Sequence, residues 1–221
     1  MVDVNYGQNW PNRGGLGLRK KIKHQQEGEG SAVLLACELE QYPTGPHIAS
    51  RLLYTAENSF DDISNKVVAH FGCGRGTLGA AATLLGAKQV IGIDIDSQSL
   101  EIASMNAEDL ELDINFIQCD IGNLGWRGQI VDTVVMNSPF GTRKRGIDMD
   151  FLFVALKLLE LFIPCVRPQQ ERQVIYFQYI KRAALRDLNA SSAEVLCELR
   201  FNVPKLYKFH KEKAVDIAVD L

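Results

Sequence analysis

Four sets of residues carry the chemistry of this chain, and each follows a short apolar run: His70-x-Gly72-x-Gly74-x-Gly76, Asp94, Asp120 and Asn137-Ser138-Pro139-Phe140. Glycines at every second position let a chain turn tightly and bring its backbone against a ligand near a helix N-terminus. Asp94 comes 18 residues after Gly76, where a carboxylate accepts both hydroxyl hydrogens of a ribose. Asp120 closes a third apolar run and is expected to accept from an adenine amine. Taken singly, the glycines suit any tight turn and either aspartate suits a strand-end cap. Taken together, they point to an adenosyl cofactor. A nicotinamide dinucleotide usually takes Gly-x-Gly-x-x-Gly, whereas the spacing here is Gly-x-Gly-x-Gly.

The fourth set decides which adenosyl cofactor is expected. Asn137-Ser138-Pro139-Phe140 is a variant of the Asn-Pro-Pro-Phe/Tyr motif. An exocyclic amine such as adenine's is a poor nucleophile because its lone pair is delocalised into the ring. The Asn137 side-chain oxygen and the carbonyl of residue 138 can each accept one of its N–H bonds and so localise that pair. Phe140 is placed to stack on a flipped base, an interaction of about 1–3 kcal/mol. With a sulfonium methyl in line, positioning supplies much of the acceleration and no strong base is needed. An ordinary Asn/Ser/Pro turn is the plain alternative. Arg143, Lys144 and Arg145 follow directly, and Lys205, Lys208, His210, Lys211 and Lys213 gather near the C-terminus. Such groups neutralise RNA phosphates and give salt-dependent binding, although a solvated loop would also carry them.

The elements that must position these groups alternate. Strands are expected at Val67–Phe71, Val90–Ile95, Ile114–Cys119, Ile130–Met136, Val174–Phe177, Val195–Phe201 and Val215–Leu221. Helices are expected over the period Ile48, Leu52, Leu53, Ala56 and at Leu78–Leu85, Ser99–Leu110, Phe151–Phe162 and Tyr179–Leu188. Repeated β-α-β units make an α/β fold, a mostly parallel seven-stranded sheet with helices on both faces. The last two strands, with no helix between them, predict an antiparallel terminal hairpin at one edge. Residues 1–30 are basic and Gly-rich and read as a disordered tail, with Ser31 capping a short helix, Ala32–Leu39. Residues 31–221 form the domain.

With 221 residues, 46% hydrophobic, 23% charged and a net charge of −3, the chain suits one soluble domain with a tail. That composition excludes a disordered chain, a collagen-like repeat and a disulfide scaffold. No apolar run reaches the roughly 20 residues of a membrane-spanning helix. The 5 cysteines are scattered and never spaced Cys-x-x-Cys, and the 4 histidines are not paired at ligand spacing. No metal site built by this chain alone is expected, and a reduced intracellular compartment fits.

Six segments together resemble the methyltransferase-like protein 5 family: EQYPTGPHIASRLLYT (40–55), NKVVAHFGCGRGTL (65–78), GIDID (92–96), QCDI (118–121), DTVVMNSPFGT (132–142) and YKFHKEKAVDIAVDL (207–221). The resemblance spans about Leu35 to Leu221. It implies a Rossmann-like class I methyltransferase fold, S-adenosyl-L-methionine as cofactor, and methylation of the exocyclic amine, N(6), of one adenosine in small-subunit (18S-type) ribosomal RNA. It assigns Gln41 and Thr44 to the element that closes over the cofactor, and Gly72 and Gly74 to the loop under its methionine part. Arg75 and Thr77 then contact it through their backbone, Asp94 holds the ribose, and Asp120 and Ile121 meet the adenine. Asn137, Ser138, Pro139 and Phe140 match the catalytic tetrad, and Arg143, Lys144, Arg145, Lys208, His210 and Lys211 fall to the RNA. The family works as a heterodimer with a small zinc-binding activator, the tRNA-methyltransferase-112-like subunit. Here that subunit is expected on the edge strand Ile114–Cys119 with its Phe116. Nucleus, nucleolus and cytoplasm are the implied compartments.

The chain also departs from the family. His70 stands where the family has an acidic residue, for which an imidazole is expected to be a poor electrostatic substitute. Ser138 replaces the first proline of the tetrad, and residues 161–178 do not match the family's strand end and following loop. These departures leave open weakened catalysis or a variant isoform. Two alternatives stay open: methylation of a protein glutamine amide, which is also planar, and a non-catalytic member that keeps the fold and partner.

Overall fold

The last four residues of β1 (Val67–Phe71) are buried, and a strand without a polar face needs cover on both sides, as parallel sheets with crossover helices provide. The computed structural model describes residues 44–126, 130–139, 146–158, 162–164, 181–187, 190, 192–193, 198–204 and 214–220. Around β1, five parallel strands are ordered β3-β2-β1-β4-β5, with β2 at Gln89–Asp94, β3 at Asn115–Gln118, β4 at Thr133–Met136 and β5 at Phe162–Pro164. The helices are α1 (Pro46–Phe60), α2 (Thr77–Leu84), α3 (Ser97–Asp109), α4 (Ile147–Leu158) and a short α5 over residues 181–186.

Strand alternation divides the core in two. Val68, Val90 and Val135 turn to one side, against Ile48, Leu52 and Leu53 of α1 and Leu78 and Ala82 of α2. Ala69, Phe71, Ile93, Val134 and Met136 turn to the other, against Leu152, Ala155 and Leu158 of α4. Helix α1 buries Ile48, Ala49, Leu52, Leu53 and Ala56, the three- and four-residue spacing of a single helix face. It begins with proline in its first turn and ends at Asp61 in the left-handed region. Asp96 caps α3, accepting from the N–H groups of Gln98 and Ser99 at 3.1 and 3.3 Å and from Ser99 Oγ at 2.7 Å. Such a cap contributes about 1 kcal/mol.

Two expectations are corrected here. The seven strands do not form one sheet among the described residues: β6 (Glu198–Pro204) and β7 (Ala214–Asp220) pair antiparallel with each other as a separate two-stranded sheet. The helix read as Phe151–Phe162 instead runs Ile147–Leu158, and Phe162 opens β5, which pairs with β4 from Val134 onward. A three-residue strand looks in sequence like the last turn of the apolar helix before it. The tail at residues 1–30, the helix Ala32–Leu39 and the strand Val174–Phe177 lie outside the described residues.

Candidate active site

The chain leaves β1 toward β2 and β3 and then returns to β1's other side as β4. Strand order reverses there, and in open α/β sheets ligands bind at such a point, outside the carboxyl ends of the strands. Phe71 pairs with Met136, so the loop beginning at Gly72 and the loop beginning at Asn137 leave the sheet side by side.

Gly72, Gly74 and Gly76 have φ of +60°, +49° and +83°, the left-handed region that L side chains avoid. The loop is tied to the sheet by Cys73 N–H to Ile93 C=O at 3.0 Å, and closed on itself by Gly76 N–H to Cys73 C=O at 2.8 Å. Asp94 reaches it from the end of β2, accepting from Gly74 N–H at 2.7 Å and from Asp96 N–H at 3.0 Å. Burial raises the Asp94 carboxyl above the usual carboxylate range, while those N–H groups pull the other way. A Cβ on Gly74 would meet nothing within 4 Å, whereas one on Gly72 would lie 3.2 Å from the Phe151 ring and one on Gly76 3.3 Å from Ala103 Cβ. The loop is thus packed at both ends and open at its middle glycine, above the Asp94 carboxylate.

His70, read as a poor substitute for an acid, has a defined role as an acceptor. It is buried on the α2 side of β1, and its Nδ1 accepts from Gly79 N–H at 3.1 Å. Burial lowers its pKa to about 3 from 6.5, so the imidazole is neutral and supplies the acceptor without a charge. Gly79 makes the approach feasible, since a Cβ there would lie 3.3 Å from Val90 Cγ1 and 3.5 Å from His70 Nδ1.

The other expected residues divide by position. Thr77 is buried in the first turn of α2. Asp120 is exposed and caps the 3₁₀ turn Ile121–Asn123, accepting from Gly122 N–H at 2.9 Å. Ile121 itself is core. Asn137 Nδ2 donates to Thr44 Oγ1 at 3.1 Å across 93 residues of sequence, which brings the Thr44 segment onto the loop after β4. Ser138 and Pro139 are half-buried beside it. Gln41, Phe140, Arg143, Lys144, Arg145, Lys208, His210 and Lys211 lie outside the described residues.

One contact had no signal in the sequence: Asn106 Nδ2 on α3 donates to the Arg75 carbonyl in the glycine loop at 3.0 Å. Beside it, Phe116 of β3 lies over β2, its ring 2.7 Å from where a Gly92 Cβ would stand and 3.7 Å from that of Gly76. Among the described residues, β3 is the last strand on its side of the sheet. Of its other residues, Asn115, Ile117 and Gln118 are exposed.

Comparison with known proteins adds an independent line. The methyltransferase domain family matches residues 62–188. The rRNA N(6)-adenosine-methyltransferase METTL5 of Danio rerio is 44% identical over 185 residues, covering 82% of this chain and 86% of that one. The rRNA N(6)-adenosine-methyltransferase Mettl5 of Drosophila melanogaster is 38% identical, covering 82% and 84%. Among solved structures, a candidate RNA methyltransferase from Pyrococcus horikoshii superposes with a TM-score of 0.69 at 28% identity, covering 83% of this chain and 84% of that one.

Proposed function

The chain belongs to the METTL5 family of methyltransferases, and from that premise we propose that it methylates N(6) of an adenosine in small-subunit ribosomal RNA. S-adenosyl-L-methionine is the cofactor of the family, and the residues present fit it. The open face at Gly74 is room a Cβ would fill, and the Asp94 carboxylate beneath suits ribose hydroxyls. Gly72 and Gly74 then seat the methionine part, Arg75 and Thr77 contribute backbone, Thr44 and Gln41 close over it, and Asp120 and Ile121 meet the adenine. When bound, the cofactor supplies an electrophilic methyl group on a sulfonium.

The chain's own residues do the rest. Asn137 Oδ1 and the Ser138 carbonyl accept the two N–H bonds of the target amine and turn its lone pair out of conjugation. Thr44 holds the other end of the Asn137 amide, and Phe140 stacks on the base. No side chain needs to act as a strong base, because the amine becomes acidic once it is alkylated and its proton can leave to water. Arg143, Lys144, Arg145, Lys208, His210 and Lys211 take the RNA phosphates. The exposed edge of β3 supports pairing with a tRNA-methyltransferase-112-like zinc-binding subunit, backbone to backbone. The enzyme then works where small-subunit RNA is made and used, in nucleolus, nucleus and cytoplasm.

The observation that carries the reading is the Asn137 amide, held by Thr44 at the strand-order reversal beside an open glycine loop. The test is transfer of labelled methyl by the full chain with its activator, given small-subunit RNA and, separately, protein. Label in N(6)-methyladenosine supports the reading, and label on a glutamine amide would replace it. Asn137→Ala should lower transfer by about a hundredfold or more with cofactor affinity nearly unchanged. Equal loss of both would make Asn137 structural.

A further inference from the structure

The glycine loop is gripped from α3 as well as from β2. Ala103 and Asn106 are one turn apart on α3 and so share a face, and both meet the loop. Ala103 Cβ lies 3.3 Å from where a Gly76 Cβ would stand, and Asn106 Nδ2 donates to the Arg75 carbonyl at 3.0 Å. Arg75 sits between Gly74 and Gly76, both at positive φ, where the backbone on either side has the widest choice of conformations. The N–H groups of residues 73, 74 and 76 are tied to Ile93, Asp94 and Cys73. The bond from Asn106 ties a carbonyl of the same turn.

We propose that Asn106 is a positioning residue for cofactor binding: its amide donor fixes the Arg75 carbonyl and thereby the shape of the turn Gly74–Gly76 on which the cofactor rests. The proposal builds on the reading of that turn as the cofactor's seat and goes beyond it, since Asn106 itself touches no ligand. Its half-buried side chain pairs a donor that would be costly to leave unmade, so the bond accounts for the amide at this place on the helix.

The test is calorimetric titration of the full chain with S-adenosylmethionine and with S-adenosylhomocysteine, alongside the melting temperature of the cofactor-free chain. Asn106→Leu removes the donor while keeping a side chain branched at Cγ, and should weaken both ligands about five- to tenfold. Asn106→Gln keeps the amide donor and should recover most of that loss. Unchanged affinity in Asn106→Leu overturns the proposal. So does a fall in affinity that tracks the melting temperature and is not recovered by Asn106→Gln, since that describes a purely structural tie. Failure of the unaltered chain to bind either ligand would instead remove the cofactor seat itself, and the assignment of Asn106 with it.

Discussion

An imidazole that accepts a hydrogen bond at Nδ1 carries no proton there, and His70 is held in that state by Gly79 N–H and by burial. Its folded-state pKa of about 3 lies below the ordinary 6.5, so between those values the unfolded chain binds more protons than the folded one. Stability from this group is therefore complete above about pH 6.5 and lost progressively as pH falls toward 3. His70→Asn puts an untitratable acceptor near the Nδ1 position. Urea titrations from about pH 7 down to pH 4.5 should show the unaltered chain losing stability faster than this variant. Equal slopes would mean that His70 does not titrate on unfolding as described. For Asp94, Asp94→Asn should weaken cofactor binding by about 1.5–3 kcal/mol, read by calorimetry, because an amide cannot accept at both ends. The place of Asp94 beside the glycine loop was legible in the sequence because an acid ending the apolar run after a glycine-rich turn stands at the next strand's C-terminal end, where Gly74 N–H meets it. The acceptor role of His70 was not, since sequence shows a polar residue in a strand but not the N–H that meets it. Asn106 was illegible for the same reason: its partner is 31 residues away.

Among the elements, β2 and β3 depend on a glycine that makes no turn. Gly92 lies within β2, and a Cβ there would lie 2.7 Å from the Phe116 ring and 3.2 Å from Cys73 Sγ. Gly92→Ala should therefore displace Phe116 and cost about 1–3 kcal/mol of stability, read as a lower urea midpoint. A variant as stable as the parent would show that the ring moves freely. Apolar runs made β1 readable to the residue, and the frames of α1, α2 and α3 to within a few residues, because their cores lie on strand and helix periods. β5 was not readable, since Phe162–Pro164 is too short to show a period and its identity comes from pairing with β4. Of the seven expected strands, Val174–Phe177 lies outside the described residues and β5 was not among them, while the division of the described strands into five and two is set by backbone hydrogen bonds between distant segments, which composition does not encode.

At the scale of the whole molecule, the sheet among the described residues ends at β3 on one side with Ile117 exposed, and a strand edge of that kind invites another chain. If the activator pairs there, Ile117→Lys should reduce its co-purification with this chain while leaving cofactor affinity unaltered. Retained co-purification would move the partner to another face. The strand order has a further effect in time rather than in space. β1, β2 and β3 pair as neighbours in sequence, but the link from Val67 to Asp132 at the entrance to β4 closes a loop of 65 residues. Closing such a loop costs entropy that adjacent pairings avoid. During synthesis the segment from β1 to Asp120, with the glycine turn, Asp94 and Asn106, leaves the ribosome before β4 and Asn137 do. In a growing chain, the residues proposed to seat the methyl donor therefore emerge ahead of those proposed to direct the methyl.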